Sequence, residues 1–281
     1  MSALTSFLPY LLHVGAVTLV QLLTLFGPGL LLVALASRLS GYVERQASWA
    51  LGRSLYVLLF GLVGTLVHET SHALAAMLFG ISIAGFKPLP SGPRDPVQGY
   101  VRTRLDENSL WKKIGYFVIG IAPILFGTLA IFVALLILFE RELLDFLGDL
   151  ELLVPAGAAG LAALPGRVAT YALALLAFVF QPAHWLDWRL YLFLYLAFCI
   201  GSSIQLSSAD IQGAAAGFFV LCATWFLLNL ATLWLSGLDA HAFDWLVPSY
   251  ALFYGILTLV IVLNALAALI LFIPAMIRRP K

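Results

Sequence analysis

Five apolar runs, each long enough to cross a bilayer, constrain this chain more than any other feature; they fall at roughly 8–36, 54–79, 114–139, 210–236 and 247–277. A hydrocarbon core of ~30 Å takes about 20 helical residues, and backbone inside it must satisfy its own hydrogen bonds, so these runs predict helices. A sixth run, 188–206, is shorter and rich in aromatic residues. The composition, 62% hydrophobic and 10% charged, agrees. The expected fold is an all-α polytopic membrane protein with about six transmembrane helices, surrounded by the lipid bilayer. No basic tract suggests nucleic acid. Cys199 and Cys222 lie in apolar runs and read as small core residues.

One of these runs carries chemistry. Residues 68–72 read His68-Glu69-Thr70-Ser71-His72, and Glu69 is the one charge between Ser54 and Phe79. Two histidines four apart share a helix face and can grip one metal ion, while the adjacent glutamate is placed to accept a proton from water. A carboxylate at the centre of a membrane helix costs roughly 2.5–3.5 kcal/mol on the insertion scale, which favours a functional reading over buried histidines with a snorkelling Glu69.

Charge sorting sets the expected topology. Lys87, Arg94, Arg102, Arg104, Lys112, Lys113, Arg278, Arg279 and Lys281 fall on one side of a six-span arrangement. On the other, loops 37–53, 140–189 and 237–246 hold six arginines among nine acids. The first side, with both termini, is therefore expected in the cytoplasm. The Gly27-Pro28-Gly29 step should kink or break the first helix. Segment 140–187 opens acidic and ends in about 13 apolar residues, 168–180, which suit an interfacial or re-entrant helix better than a full span. Behind the motif, Ile81–Phe86 and Gln98–Arg104 alternate like strands around a Pro/Gly-rich centre and predict a hairpin. The chain reads as a single membrane domain over 1–281, with a core at 54–236 and accessory spans at 1–53 and 237–281.

A zinc site normally takes a third protein ligand. His184, His13 and His241 stand at span edges and read as interfacial; Glu107, Glu140, Glu142 and Glu151 sit in loops without a helical partner. Asp210 lies in the polar stretch 201–210 between two apolar runs. With Ser207 or Ser208 it could simply cap the helix that follows. In the six-span topology it also approaches the leaflet that His72 approaches, about 12 Å before the motif helix ends at Gly80. A divalent ion would there offset Asp210 and Glu69.

With these residues in place the chain resembles the site-2 protease family, intramembrane zinc metalloproteases of the M50 type, as a divergent short member without a PDZ-like insertion or CBS module. The resemblance rests on the His68–His72 motif in a membrane helix, the hairpin behind it and Asp210 beyond a later span. It implies one Zn2+ held by His68, His72 and Asp210, with Glu69 as catalytic base. It also implies hydrolysis of transmembrane or membrane-proximal segments of membrane-protein substrates, near the cytoplasmic leaflet. The family's second motif, Asn-x-x-Pro-x-x-x-x-Asp-Gly, keeps only its aspartate; Ser202, Gln205 and Ile211 stand at the other positions. Rival readings are a catalytically inactive scaffold, which an intact Glu69 disfavours, and a metal transporter, for which mid-span polar residues are few.

Overall fold

The computed structural model describes residues 2–92, 95, 99–104, 109–153, 164–233 and 247–278. Among them the chain is an all-α polytopic membrane fold with one small hairpin, and six of its helices are long and apolar enough to cross a membrane. The apolar runs become α1 (Ser2–Leu51), α2 (Arg53–Tyr56) leading through a π turn (Val57–Gly61) into α3 (Leu62–Leu78), and α4 (Leu110–Leu138). Then follow α5 (Glu140–Leu153), α6 (Leu164–Val179), α7 (Trp188–Ser202), α8 (Ser208–Thr232) and α9 (Val247–Arg278). Strands β1 (Ile83–Lys87) and β2 (Tyr100–Thr103) pair antiparallel, as the alternation predicted, with Phe86 opposite Val101.

Two expectations are corrected. The first helix does not stop at Gly27-Pro28-Gly29 but continues to Leu51, so 37–51 is helix and not loop. Proline frees carbonyls in the preceding turn, and a neighbouring helix can satisfy them; here Tyr254 of α9 donates its hydroxyl to Leu25 O. The run 188–206 yields only the 15 residues of α7, about 22 Å, too short to cross alone. The segment expected to be interfacial forms α6, 16 residues, and a 3-10 turn at Pro182–His184; Phe178 and His184 pack on Phe139, so the chain returns to the end of the bundle where α4 stops.

Directions explain how α7 manages. Tyr195 donates to Leu59 O (2.5 Å), and His68 donates to Ser203 O (2.7 Å), so α7 runs parallel to α3. Helix α4 runs opposite to α3, since His72 bonds Ile119 O (2.7 Å) while Phe79 packs on Trp111 (ring centres 4.7 Å). Gly120 of α4 abuts Asp210, and Phe117 abuts Phe218 (5.4 Å), so α8 opposes α4 and continues the direction of α7. Helices α7 and α8 therefore act as one discontinuous pass, broken at Ser203–Ser207, and not as two crossings. Non-helical backbone at membrane depth is tolerated where protein covers it or a wet cavity borders it.

Helix α9 lies along α1 in the same direction: Tyr254 meets Leu25, and Leu271 packs against the Ala47, Tyr56 and Val57 cluster. The outer ends of α1 and α9 thus point to opposite ends of the bundle.

The core fills the space between α4, α6, α7 and α9, with Phe139, Leu175, Phe193, Ile204 and Leu257 fully buried. Leu31 and Phe219 point outward as lipid-facing residues do. Between α1 and α8 a polar clasp replaces apolar contact. Asn229 Nδ2 donates to Thr18 Oγ1 and Gln21 Oε1 (both 2.8 Å), and Trp225 Nε1 donates to Gln21 Oε1 (2.9 Å). Asn229 thus bridges two helices, whereas Asn264 donates to Val260 O within its own helix.

Candidate functional site

Helical spacing puts His68 and His72 on one face of α3, with their Nε2 atoms 3.2 Å apart. What the sequence could not supply is the grip on the other side of each ring. His68 Nδ1 donates to Ser203 O and His72 Nδ1 donates to Ile119 O, each at 2.7 Å. A carbonyl oxygen only accepts, so both Nδ1 atoms carry a proton, and in the neutral rings that leaves both Nε2 lone pairs for a metal ion. Backbone carbonyls have no residue signature, so neither partner could have been found in the sequence.

The break between α7 and α8 delivers the third group. Asp210 Oδ1 lies 3.3 Å from His72 Nε2, and one ligand atom from each of His68, His72 and Asp210 falls within 4.8 Å of the others. The capping reading of Asp210 is met at the same time. Its Oδ2 accepts from Ser207 N (2.7 Å) while Ser207 Oγ accepts from Asp210 N (3.1 Å), a capping box that starts α8. One carboxylate oxygen holds the helix start and the other faces the imidazoles.

With both rings neutral, the three groups converge as lone-pair donors and repel one another. His72 is buried and Asp210 largely so, which leaves little water to soften that repulsion. A cation relieves it. The donor set, two imidazoles with backbone-anchored Nδ1–H groups and one carboxylate, suits zinc in its catalytic form, with one position left for water.

Tight helix contact fixes where Asp210 sits. A methyl group at Gly120 would come within 2.5 Å of Asp210 O and 2.6 Å of Ala214 Cβ, so α4 and α8 approach as only glycine allows. Gly120 is conspicuous in the sequence, but nothing there says what it faces.

Glu69 lies in the same cavity, of about 850 Å³, whose floor is His68, Glu69 and His72. One wall is β2, including Tyr100, Val101 and Thr103; the others are α4 and α8. The hairpin does not hang away from the bundle. A methyl group at Gly99 would lie 2.6 Å from Glu69 Cγ and 3.0 Å from Thr65 Cγ2, so the chain leading into β2 rests on the motif helix beside its glutamate. The remaining candidates are not in the cluster. His184, expected to be interfacial, is buried against Phe139 (ring centres 4.6 Å) and bonded to Gln181 and Val179 O. His13 is exposed on α1; Glu107 and His241 lie outside the described residues.

No protein-family model matches the chain, and neither a curated protein nor a solved structure is significantly similar to it.

Proposed function

We propose that this protein is an intramembrane zinc metalloprotease that hydrolyses peptide bonds in transmembrane or membrane-proximal segments of other membrane proteins. The observation that carries the reading is the convergence of His68 Nε2, His72 Nε2 and Asp210 Oδ1 in one cavity with Glu69. His68, His72 and Asp210 would hold the ion. Zinc supplies Lewis acidity there, lowering the pKa of a water and polarising a peptide carbonyl. Glu69 accepts the proton of the attacking water and passes it to the amine nitrogen as the C–N bond breaks. Ser203 O and Ile119 O keep both rings in the right tautomer throughout.

A substrate helix must unwind before its carbonyl can be attacked, because helical carbonyls are already hydrogen-bonded. Among the described residues β2 pairs with β1 alone, and residues of β2 line the cavity. An unwound segment can add along its remaining edge. The basic residues of the hairpin and of the start of α4 favour the cytoplasm for the end where α3 stops, with water entering from that side.

The test uses the purified full chain. It is expected to carry one zinc, to lose cleavage of a helical membrane substrate when a chelator strips the metal, and to regain it when zinc returns. A chain that binds no zinc would end the proposal. A zinc-bound chain that cleaves no substrate points to the scaffold reading instead. A second variant probes the α4–α8 contact. Gly120→Val pushes Asp210 from the imidazoles, and zinc affinity is expected to fall about 10–100-fold, the range seen for supporting residues, while circular dichroism stays helical.

A further inference from the structure

The cavity contains one basic side chain among the described residues that line it, Lys113. It sits in the first turn of α4, half-buried, and makes no ion pair with any described residue. Its neighbour Lys112 does not line the cavity. The helix dipole opposes a cation at this end of α4, so the position gives the ammonium nothing locally. Proximity to the cytoplasmic surface accounts for a lysine at either position; it does not account for which of the two lines the cavity. With a divalent ion offset by Asp210 and Glu69, Lys113 leaves the cavity net positive.

Its place relative to the reacting centre follows from the helix. Ile119, whose carbonyl holds His72, marks the level of the metal-binding group, and Lys113 lies six residues earlier, about 9 Å along the axis. An extended peptide advances about 3.3 Å per residue, and the lysine stem leans further toward the start of α4, so the ammonium stands at least about three residues away. Small residues of α8, Gly213 and Ala216, face Lys113's side of the cavity and leave room for a chain there.

We propose that Lys113 selects substrates carrying a carboxylate at least about three positions from the scissile bond, toward the mouth at the start of α4. The inference rests on the protease reading for the word substrate. The carboxylate is either an Asp or Glu side chain or the free C-terminus of the segment; both offer the same two oxygens to an ammonium group.

Two assays on the full chain test it. In the first, the zinc-loaded Glu69→Gln variant binds fluorescent Leu/Ala peptides in detergent. One peptide carries an Asp scanned along its length, one carries Asn in its place, and each is made with a free and an amidated C-terminus. Asp peptides are expected to bind about 10–100-fold tighter than Asn peptides, the advantage vanishing in Lys113→Met and passing to Lys-bearing peptides in Lys113→Glu. Lys112→Met should change nothing. Loss of binding on amidation, with Asn inside, would identify the terminus as the source; loss on Asp→Asn, with the end amidated, would identify the side chain. In the second assay Lys113→Met raises KM for acidic substrates with kcat nearly unchanged. Equal binding of charged and neutral peptides, or indifference to Lys113→Met, overturns the proposal. Cleavage without a carboxylate preference removes Lys113 and leaves the protease intact. Binding that depends on Lys113 without any cleavage does the reverse.

Discussion

Glu69→Gln is expected to retain one zinc per chain and to lower cleavage of a helical membrane substrate by about 10²–10⁴-fold, the usual worth of a general base. Glutamine matches glutamate in shape, so the contact between Gly99 and the Glu69 stem, 2.6 Å from a would-be methyl, survives the exchange. What disappears is the ability to accept a proton. The three groups that would hold the metal are elsewhere on α3 and at the start of α8 and are not altered. The prediction is checked by zinc analysis and by the single-turnover rate on the same preparation. Full activity in Glu69→Gln would assign the base to another group. Loss of zinc would place Glu69 among the ligands.

Asp210→Ala should weaken zinc binding by more than about 100-fold, beyond the range that supporting residues reach. Alanine removes both oxygens, and Oδ2 also caps α8, so this variant alone confounds two losses. Two further variants separate them. Asp210→Asn keeps an acceptor for Ser207 N but removes the negative charge opposite His72; its zinc affinity should fall almost as far. Ser207→Ala removes the hydroxyl from the capping box, a change worth about 1 kcal/mol of helix stability, yet leaves the carboxylate, so zinc affinity should fall little. If Ser207→Ala lost as much zinc as Asp210→Asn, Asp210 would act chiefly by capping. Competition with a chromogenic chelator measures all three.

Local spacing made part of the site readable. His68, Glu69 and His72 form one turn, and the helical period alone puts both imidazoles on one face. Asp210 could be nominated from its polar setting, because a carboxylate between two apolar runs has few cheap explanations. Its two readings could not be resolved in the sequence; the structure shows one carboxylate serving the cap with one oxygen and facing His72 with the other. Ser203 and Ile119 could not be nominated at all, since they act through backbone carbonyls. Lys113 was visible only as part of a positive loop. Whether a lysine at the start of a span faces water, lipid or a cavity depends on helix rotation, which its neighbours set.

Segment lengths were read less well than their existence. Pro28 suggested a break in α1, but a hydroxyl from α9 reaches the disturbed turn, and helix α1 runs on to Leu51. Ser203–Ser207 suggested a loop joining two crossings; the contacts of α7 with α3 and of α8 with α4 make it a break within one. Both errors have one cause: hydropathy reports that a segment prefers lipid, not which way it runs.

By itself the sequence determined that the chain lives in a membrane as helices, that a hairpin follows the motif, and that two histidines and a glutamate share one turn. These follow from hydrophobicity and from 3.6- and 2-residue periods, which act over a few neighbouring residues. Only the tertiary structure decided how the helices run, that Asp210 closes on His72, which carbonyls hold the two rings and that Lys113 lines the cavity. Each of those depends on close packing between segments far apart in the chain, such as Gly120 against α8, and no local pattern encodes the partner.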